Sequence, residues 1–347
     1  MGLAEQRILI TGASGALGKQ LVFELVRDGI KPICHVRATS DTALIDSYGL
    51  EKRVLDFTVD KDCSPLVEGV DSVIHTAAWV NFRQDRMTQF TALNTFGAVS
   101  LFKAAQKAGV KRFVHVSSVA AVGAVDRGAI ARRDPSAEPL LVNENWEFNL
   151  RNLRIHYIMT KRAAEDELLK LAENGPTELV IVNPSIVVAP SRTGDDRAKA
   201  RKRFKRILMP SVPNRFNLVD IRDVVPAILT ALEKGRHKER YILAGDNIEA
   251  DDFILAVSIN LGVAPHLIAV PRWMVRWASG FSRLAARLSR KGKVSFYPDI
   301  VRLIDYDWVY SSMKARRELS FKPRSIHYTL NDLLSNNMVG TYQKPAP

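Results

Sequence analysis

A turn with three glycines follows the first apolar run and constrains the fold more than any other stretch. Residues 7–11 are mostly apolar, Gly12, Gly15 and Gly18 follow them, and a helical pattern then continues to residue 28. Glycine adopts positive φ without a Cβ clash, so Gly12 permits a sharp turn off a strand. Unpaired N–H groups at the start of a helix attract anions. The stretch therefore predicts a strand, a turn and a helix, with either a pyrophosphate bound at the turn or no ligand at all.

Apolar strands and helical patterns alternate in the first half of the chain. Strands are predicted at 7–11, 31–37, 53–57, 71–78 and 111–118, and helices at 15–28 and 88–108. This alternation is typical of an α/β fold, a Rossmann-like doubly wound parallel sheet with helices on both faces. Ligands bind such sheets at the carboxyl ends of the strands.

The second half continues this pattern and then changes. A helix is predicted at 154–174, strands at 179–188 and 240–244, and a strand-to-helix turn at 216–224, after which the pattern is mostly helical. We therefore expect a dinucleotide-binding domain at 1–183, to which 214–244 returns. A smaller, mostly helical substrate lobe is expected at 184–213 and 245–347.

Composition limits the compartment and the classes of partner. With 347 residues, 46% of them hydrophobic, the chain can bury a large core. We expect no secretory signal, because residues 1–7 lack the long apolar core of one, and no membrane span, because no run of 18 apolar residues occurs. Cys34 and Cys63 are too few for a disulfide framework and lack metal-ligand spacing, so we expect a reducing, cytoplasmic setting and no metal. The net charge of +13 favours anionic partners. Nucleic acid is not expected among them, since no binding module is recognisable.

The end of the second predicted strand carries a basic residue. In a dinucleotide-binding sheet this position meets the adenosine ribose, where an acid binds the 2′-hydroxyl of NAD(H) and a base favours the 2′-phosphate of NADP(H). The chain has Arg37 there, with Ser40 close behind, and the nearest acid, Asp41, lies four residues beyond the strand. The pattern favours NADP(H) over NAD(H), which stays possible, and a plain surface arginine is the alternative.

Three residues suggest acid–base chemistry. The fifth predicted strand ends in Ser118, and the helix at 154–174 carries Tyr157 and Lys161 one turn apart, on the same face. A nearby ammonium is expected to lower the pKa of Tyr157 from about 10. Tyr157 could then exchange a proton with a substrate oxygen while hydride moves to or from a nicotinamide, and Ser118 could stabilise the oxygen. A core tyrosine beside a solvated lysine is the alternative for the pair taken alone.

These motifs together resemble the extended short-chain dehydrogenases/reductases, within the NAD-dependent epimerase/dehydratase superfamily. The branch most resembled contains dihydroflavonol reductases, 3β-hydroxysteroid dehydrogenases and related sugar epimerases. The motifs are Thr11-Gly-Ala-Ser-Gly-Ala-Leu-Gly18, Asp56-Phe57, His75-Thr-Ala-Ala78, Asn94, Val116-Ser-Ser118, Tyr157-x-x-x-Lys161, Asn183-Pro-Ser185, Val219-Asp-Ile-Arg-Asp-Val224 and the segment 311–323.

The resemblance implies roles for individual residues. The catalytic serine, tyrosine and lysine fall on Ser118, Tyr157 and Lys161, with Ser117 as the neighbouring candidate. Asn94 matches an asparagine with a structural or a proton-relay role, and both stay open. Lys161 would also hydrogen-bond the nicotinamide ribose. The cofactor contacts implied or expected along the chain are Gly12, Ser14, Gly15, Ala16, Leu17, Gly18, Arg37, Asp56, Phe57, Ala77, Ala78, Tyr157, Lys161, Pro184 and Ser185.

Departures from the family pattern bear on the substrate. Sugar epimerases often carry Val-Tyr-Gly where this chain has Ala121-Val122-Gly123, and Arg-Pro where it has Asn183-Pro184. Ser320 replaces a usual glycine. We therefore expect an NADP(H)-dependent enzyme that interconverts a ketone and a secondary alcohol on a hydrophobic small molecule. A nucleotide-sugar epimerase or dehydratase with tightly held NAD(P), and an idle NADP(H)-binding sensor or scaffold, are the alternatives. Many relatives pair through helices around Asn94 and Tyr157, which implies a homodimer.

Two basic segments stay open to several interpretations. Residues 272–290 combine an aromatic stripe with a stripe of arginines, which suits a peripheral helix on anionic lipid, a lid over a hydrophobic pocket or an ordinary packed helix. Residues 197–206 hold seven cationic side chains in ten positions. They suit a phosphate-bearing substrate, lipid head groups or simple solvation.

Overall fold

The computed structural model describes residues 2–79, 87–130, 139–189, 201, 208–211, 214–264, 266–271, 274, 277 and 302–334. The strands within these ranges are β1 (Ile8–Thr11), β2 (Ile33–Val36), β3 (Lys52–Val54), β4 (Ser72–His75), β5 (Arg112–Val116), β6 (Val125–Asp126), β7 (Glu178–Pro184), β8 (Ile186–Val188), β9 (Leu208–Ser211), β10 (Arg215–Asp220), β11 (Arg240–Leu243), β12 (Asp246–Glu249), β13 (His266–Ala269) and β14 (Tyr306–Asp307).

Helices connect these strands. They are α1 (Ala16–Arg27), α2 (Ala43–Ser47), α3 (Ser64–Val67), α4 (Met87–Phe90), α5 (Ala98–Lys107), α6 (Arg127–Ile130), α7 (His156–Ala172), α8 (Ile221–Lys234), α9 (Ala250–Leu261), α10 (Met313–Glu318) and α11 (Ile326–Leu334). A π-helical segment, Thr91–Gly97, joins α4 to α5, and short 3₁₀ turns lie at Leu3–Glu5, Val119–Ala121, Arg151–Leu153 and Arg302–Asp305.

Seven parallel strands form the central sheet, in the order β11-β7-β5-β4-β1-β2-β3. Helices α1 and α8 pack on one face, and α3, α5 and α7 pack on the other, each against a buried apolar cluster. The predicted Rossmann-like parallel sheet is therefore confirmed. The strand order changes direction at β1. The connections that follow β1 and β4 therefore run to opposite faces of the sheet, and a crevice lies between them at the carboxyl ends of these strands.

Several boundaries differ from those expected from the sequence. The third strand ends at Val54 rather than at residue 57, so Asp56 and Phe57 lie in the loop that follows it. The helix expected at 88–108 is interrupted by the π-helical segment. The helix expected from residue 154 begins at His156, because Arg154 has a left-handed backbone, with φ of 53°.

Short strands occur beside the helices in the second half of the chain. β10 pairs with β8 and β12 in a three-stranded sheet, while β13 pairs with β9 and β14 with β6. After α10 the chain turns at Ser320, which has a φ of 54°. The N–H of Phe321 then donates to the carbonyl of Ala315 at 3.2 Å. Ser320 thus holds a left-handed conformation that glycine adopts most easily.

The side chain of Glu144 covers part of one edge of the central sheet. β11 is the outermost strand on that side, and the N–H of its Ile242 donates to Oε1 of Glu144 at 2.9 Å. Burial raises the pKa of Glu144. Within the ranges given above, no helix is both long and apolar enough to cross a membrane.

Candidate active site

The glycine turn has the geometry expected of a phosphate-binding turn. Gly12 has a φ of 70°, and a Cβ there would lie 2.9 Å from backbone atoms of Ala77. A Cβ at Gly18 would collide with the Gly12 carbonyl and lie 2.7 Å from Cα of Ala13. Ser14 lies in the turn, Gly15 precedes α1 without a side-chain cap, and Ala16, Leu17 and Gly18 supply the first N–H groups of the helix. The turn can therefore receive an anion at the helix start.

The end of β2 has an arginine that faces solvent. Arg37 is exposed and forms no ion pair with any described residue, while its N–H donates to Oγ of Ser40 at 3.0 Å. Asp41 instead pairs with Lys19 of α1, at 2.9 Å between carboxylate and ammonium. The one acid near the end of β2 in sequence is thus directed toward a cation.

Asp56 and Phe57 differ in what they can offer a ligand. Oδ1 of Asp56 accepts hydrogen bonds from the N–H and the hydroxyl of Thr58, which lower the pKa of Asp56 and keep it charged. The ring of Phe57 is buried, with its centroid 4.8 Å from that of His35 and edge-on to His75 at 5.8 Å. Phe57 can therefore contact a ligand through its backbone rather than its ring.

Asn94 lies in the π-helical segment and is almost fully buried. Its Oδ1 accepts from the N–H of Trp79 at 2.7 Å, and its Nδ2 donates to the carbonyl of Trp79 at 3.2 Å and to Thr160 at 3.3 Å. These bonds attach the chain after Ala77 and Ala78 to α7. They favour the structural role of Asn94 over the proton relay.

Ser118 and Tyr157 meet at the carboxyl end of β5. The Ser118 hydroxyl hydrogen-bonds with the phenol of Tyr157 and also accepts from the N–H of Ala120 at 3.2 Å. The hydroxyl of Ser117 is buried and has no hydrogen-bond partner among the described residues. Ser118, and not Ser117, is therefore the serine beside the tyrosine.

The expected effect of Lys161 on Tyr157 is wrong for the protein without ligand. Burial raises the pKa of Tyr157, and the hydrogen bond from Ser118 only partly opposes this. The ammonium of Lys161 donates to the Val116 carbonyl at 3.0 Å. Burial lowers the pKa of Lys161 to about 8, against the opposing charge of Glu165. The phenol is consequently protonated at neutral pH, as a proton donor must be.

Pro184 and Ser185 close the site on the far side of β5. Pro184 ends β7, and the N–H of Ser185 donates to the Leu243 carbonyl at 3.1 Å. The hydroxyl of Ser185 is buried, with no hydrogen-bond partner in the part of the chain that the structure describes. This polar atom and the glycine turn, which a Cβ would fill, fit a dinucleotide lying across the carboxyl ends of the strands.

Comparison with known families agrees with this geometry. Residues 8–244 match the NAD dependent epimerase/dehydratase family. The chain belongs to that family.

Relatives along nearly the whole chain support the same membership. Sterol demethylase protein B of Methylococcus capsulatus is 30% identical over 336 residues, which cover 94% of this chain and 97% of the relative. A putative dihydroflavonol 4-reductase of Synechocystis is 30% identical and covers 93% and 92%. The crystal structure of gox2253 superposes with a TM-score of 0.79 at 27% identity, covering 95% and 97%. An extended short-chain dehydrogenase/reductase, and an NAD(P)-dependent oxidoreductase, are confirmed at this level.

Three histidines of this epimerase/dehydratase-family chain form a row that was not expected from the sequence, where only His75 was noted, as the first residue of a motif. His35, His75 and His115 lie in one transverse row of the sheet, with Thr11 between the first two. His35 accepts from the N–H of Gly12 at 3.2 Å and donates to the Leu55 carbonyl at 3.0 Å, which joins the glycine turn to the loop after β3. Their shared place near the carboxyl ends of predicted strands was the available signal.

Lys19, Glu165 and the side-chain contacts of Asn183 were also not predicted. Lys19 follows the last glycine of the turn and is buried. Glu165 follows Lys161 by one turn and is fully buried, although the run Glu165-Asp166-Glu167 has the composition of a solvated face. Only the spacing of four residues from Lys161, which places both side chains on one helix face, could have suggested an inward position.

Proposed function

We propose that this chain is an NADP(H)-dependent oxidoreductase that interconverts a ketone and a secondary alcohol on a hydrophobic substrate. The observation that carries the proposal is the hydrogen-bonded pair of Ser118 and a buried, protonated Tyr157 at the mouth of the crevice. When bound, the nicotinamide supplies or accepts the hydride. Tyr157 donates its proton to the substrate oxygen in the reductive direction, and Ser118 hydrogen-bonds the same oxygen.

Lys161 has a supporting role in this proposal. Its ammonium is buried one turn from Tyr157 and hydrogen-bonds a backbone carbonyl. With a pKa of about 8, it carries its charge at neutral pH. We assign it to the nicotinamide ribose, because a buried cation with donors to spare stabilises hydroxyl oxygens in its reach.

The preference for NADP(H) rests on the end of β2. Arg37 is exposed and unpaired among the described residues, and the carboxylate of Asp41 is occupied by Lys19. A 2′-phosphate at this position would meet an exposed guanidinium, and the nearest acid in sequence beyond the strand is already paired. Asp56 and the backbone of Phe57 are assigned to the adenine.

A hydrophobic substrate is supported by the chain after Ser118. Ala121 and Val122 are buried and apolar where sugar epimerases often carry a tyrosine. The Trp146 ring packs so close to Gly123 that a Cβ there would lie 2.7 Å from it. Two relatives are named for sterol demethylation and for dihydroflavonol reduction, and both names refer to compounds with fused rings rather than to nucleotide sugars.

A parallel substrate screen tests the proposal. The purified enzyme is offered polycyclic ketones, among them a ketosteroid and a dihydroflavonol, and UDP-glucose, each with NADPH and with NADH, and absorbance at the nicotinamide band is followed. We expect oxidation of NADPH with an apolar ketone. Cofactor that stays bound through gel filtration and converts a UDP-sugar without net oxidation would replace the proposal by an epimerase.

Tyr157→Phe separates catalysis from binding. We expect it to abolish turnover and to leave NADPH affinity unchanged, since the phenol and not the ring donates the proton. Turnover that survives this change would contradict the mechanism. An idle sensor or scaffold would bind NADPH equally well in both forms and turn over no substrate in either.

A homodimer is part of the proposal. The ring of Phe96, in the π-helical segment next to α5, is 62% exposed, which is high for a phenylalanine. We assign it to a face shared by two copies of the chain. Phe96→Asp should convert a dimer to a monomer in light scattering, and an unchanged mass would refute the assignment.

We also propose a cytoplasmic setting for the protein and contact of its surface with a membrane. Cys34 and Cys63 are both buried free thiols, which suits a reducing compartment. Within 272–290 only Met274 and Trp277 are described, and Trp277 is 77% exposed. Within 197–206 only Arg201 is described, and the other residues of both segments lie outside the described part of the chain. Flotation with anionic liposomes should depend on Trp277, and absence of flotation by the intact protein would end this part.

A further inference from the structure

Three connected polar side chains lie behind the proposed catalytic residues. Glu165 of α7 is fully buried. Its Oε2 accepts from Nε of Arg240 at 2.7 Å, and its Oε1 accepts from Nδ2 of Asn183 at 2.6 Å. Burial of a carboxylate is costly unless it is paired and hydrogen-bonded, and here each oxygen has a partner. The three residues come from α7, β7 and the edge strand β11, so they join distant parts of the chain.

The Asn183 amide extends this connection to Ser118. Its Nδ2 also donates to the carbonyl oxygen of Ser118 at 3.0 Å. Ser118 has an extended backbone, with φ of −162° and ψ of 152°, and precedes the 3₁₀ turn Val119–Ala121. The hydrogen bond from Asn183 to the Ser118 carbonyl fixes the backbone of Ser118, and with it the position of the hydroxyl that contacts Tyr157.

Glu165 acts on Lys161 through charge. The two residues are one helical turn apart, and the carboxylate opposes the effect of burial on the ammonium. The other titratable groups near Lys161 are Tyr157 on α7, His75 on β4 and His115 on β5. Burial raises the pKa of Tyr157 and lowers the pKa of both histidines, so all three are neutral at pH 7. Glu165 is therefore the charged group that balances the ammonium.

We propose that Arg240, Glu165 and Asn183 are positioning residues for the reaction proposed above. Arg240 anchors the Glu165 carboxylate, Glu165 keeps Lys161 protonated at neutral pH, and Asn183 holds the Ser118 peptide against the same anchor. This inference rests on the proposed function for its purpose. Its charge component concerns only the folded protein and can be tested without a substrate.

Glu165→Gln tests the charge component, because it keeps the shape of the side chain and removes its charge. The free energy of unfolding in urea is measured from pH 6.5 to pH 9.5 for the variant and the wild type. Lys161 is charged at the lower pH and neutral at the higher one. If the carboxylate shifts the pKa of Lys161 by one unit or more, the destabilisation is larger at pH 6.5 by about tenfold or more in the unfolding equilibrium constant.

Two comparisons make this result specific. Glu167→Gln removes the same charge from the exposed face of α7, where Glu167 pairs with Lys170, and should give a difference that does not vary with pH. In a Lys161→Met background the pH-dependent part of the Glu165→Gln effect should vanish. An effect that is constant with pH, or that persists in this background, would make Glu165 a structural residue only.

A second variant covers the event that Glu165→Gln alone does not fold. Glu165→Gln combined with Arg240→Gln removes the guanidinium that would otherwise lose its carboxylate, and it retains neutral hydrogen-bonding groups at both positions. Lys161 then remains as the buried charge whose titration is measured. The same difference between pH 6.5 and pH 9.5 is expected of it, and a pH-independent effect would refute the proposal in this form also.

Asn183→Ala tests the link to Ser118. With an active substrate in hand, we expect turnover to fall about tenfold while the NADPH dissociation constant and KM stay within twofold. Equal losses in binding and turnover would assign Asn183 to the fold alone. If no substrate is found, the proposed function fails, whereas the unfolding measurements on Glu165 still give their answer.

Discussion

We propose that Arg37 decides the cofactor, because no described carboxylate forms an ion pair with it and Asp56 acts on it only as a nearby charge. Its guanidinium is exposed, and the nearby Asp41 is neutralised by Lys19. The sequence could predict the arginine, since its position follows from the strand and the glycine turn. It could not predict the Lys19–Asp41 pair, which joins residues 22 positions apart.

Arg37→Ser should weaken NADPH binding and leave NADH binding nearly unchanged. A charge-assisted hydrogen bond contributes about 1.5–3 kcal/mol, which corresponds to roughly 10- to 100-fold in affinity. Quenching of protein fluorescence by the two cofactors gives both dissociation constants, and NADH is the internal control. Equal weakening of both would show that Arg37 does not contact the 2′-phosphate.

Ser320 shows how a departure from a family pattern can be explained by the backbone. From the sequence alone, the exchange of a usual glycine for serine carried no information. The structure gives Ser320 a φ of 54°, in the region where a side chain is strained.

Ser320→Gly should therefore stabilise the protein by about 0.5–1 kcal/mol, because relief of strain exceeds the added freedom of the unfolded chain. Urea unfolding at pH 7 measures this. Ser100→Gly, inside α5, is the matched control and should destabilise by about 0.5 kcal/mol. A loss at position 320 as large as that at position 100 would rule out strain there.

Two glycines in the unit formed by β1, the turn and α1 are needed for different reasons. Gly18 is needed for packing, because a Cβ would meet the backbone of Gly12 and Ala13. A Cβ at Gly15 would only approach the Gly12 carbonyl at 3.2 Å, a contact that small adjustments relieve. We propose that Gly15 is instead needed where a phosphate approaches the turn.

We expect Gly18→Ala to lower the free energy of unfolding by about 1–3 kcal/mol through overpacking. Gly15→Ala should unfold near the wild-type urea concentration and bind NADPH at least about tenfold more weakly. Unfolding curves and fluorescence titrations of the two variants are the measurements. If Gly15→Ala kept full affinity, the pyrophosphate would have to lie elsewhere.

Sequence patterns predicted the elements unevenly. Apolar runs located the strands of the central sheet to within a few residues, because buried parallel strands are nearly continuous in hydrophobic residues. The π-helical segment was not predictable, because its Asn94 hydrogen-bonds with Trp79, a residue 15 positions away in the sequence. The short strands β12, β13 and β14 depend equally on distant partners.

At the scale of the whole molecule, buried histidines make stability depend on pH. Burial, reinforced by the charge of Lys161, lowers the pKa of His75 to about 3 and lowers that of His115 well below its ordinary value. Burial also lowers the pKa of His35. In the unfolded chain these groups titrate near 6.5. Below pH 6.5 the unfolded state therefore binds more protons than the folded state. The free energy of unfolding then decreases as the pH is lowered, by up to about 1.4 kcal/mol per pH unit for each histidine.

His115→Phe should make this acid dependence shallower. The imidazole stacks on His75 at 5.4 Å, and its nitrogens lack hydrogen-bond partners among the described residues, so a phenyl ring fits the site chemically. Urea unfolding from pH 7 to pH 4.5 gives the slope for the variant and the wild type. His327→Phe, at an exposed position, serves as the control and should keep the wild-type slope. An unchanged slope for His115→Phe would mean that other groups govern acid unfolding.

The fold, including the glycine turn after the first strand, was thus largely predictable, and the electrostatics of the candidate site were not. Strand alternation and glycine spacing are local properties that a sequence displays directly. The pKa of Tyr157 depends on burial by residues from several elements, and this burial reversed the direction expected from Lys161 alone. Glu165 escaped notice for the same reason, because its partners Asn183 and Arg240 are far along the chain.

The carboxylate of Glu144 has a consequence for how the protein behaves at high concentration. An outermost strand offers backbone groups to which a strand of another molecule can add, and such addition leads to fibrillar aggregation. At β11, the N–H of Ile242 is already taken by Glu144. At the opposite margin, β3 carries the charged side chains Lys52 and Arg53. Both margins of the sheet are thereby protected against growth from one molecule into the next.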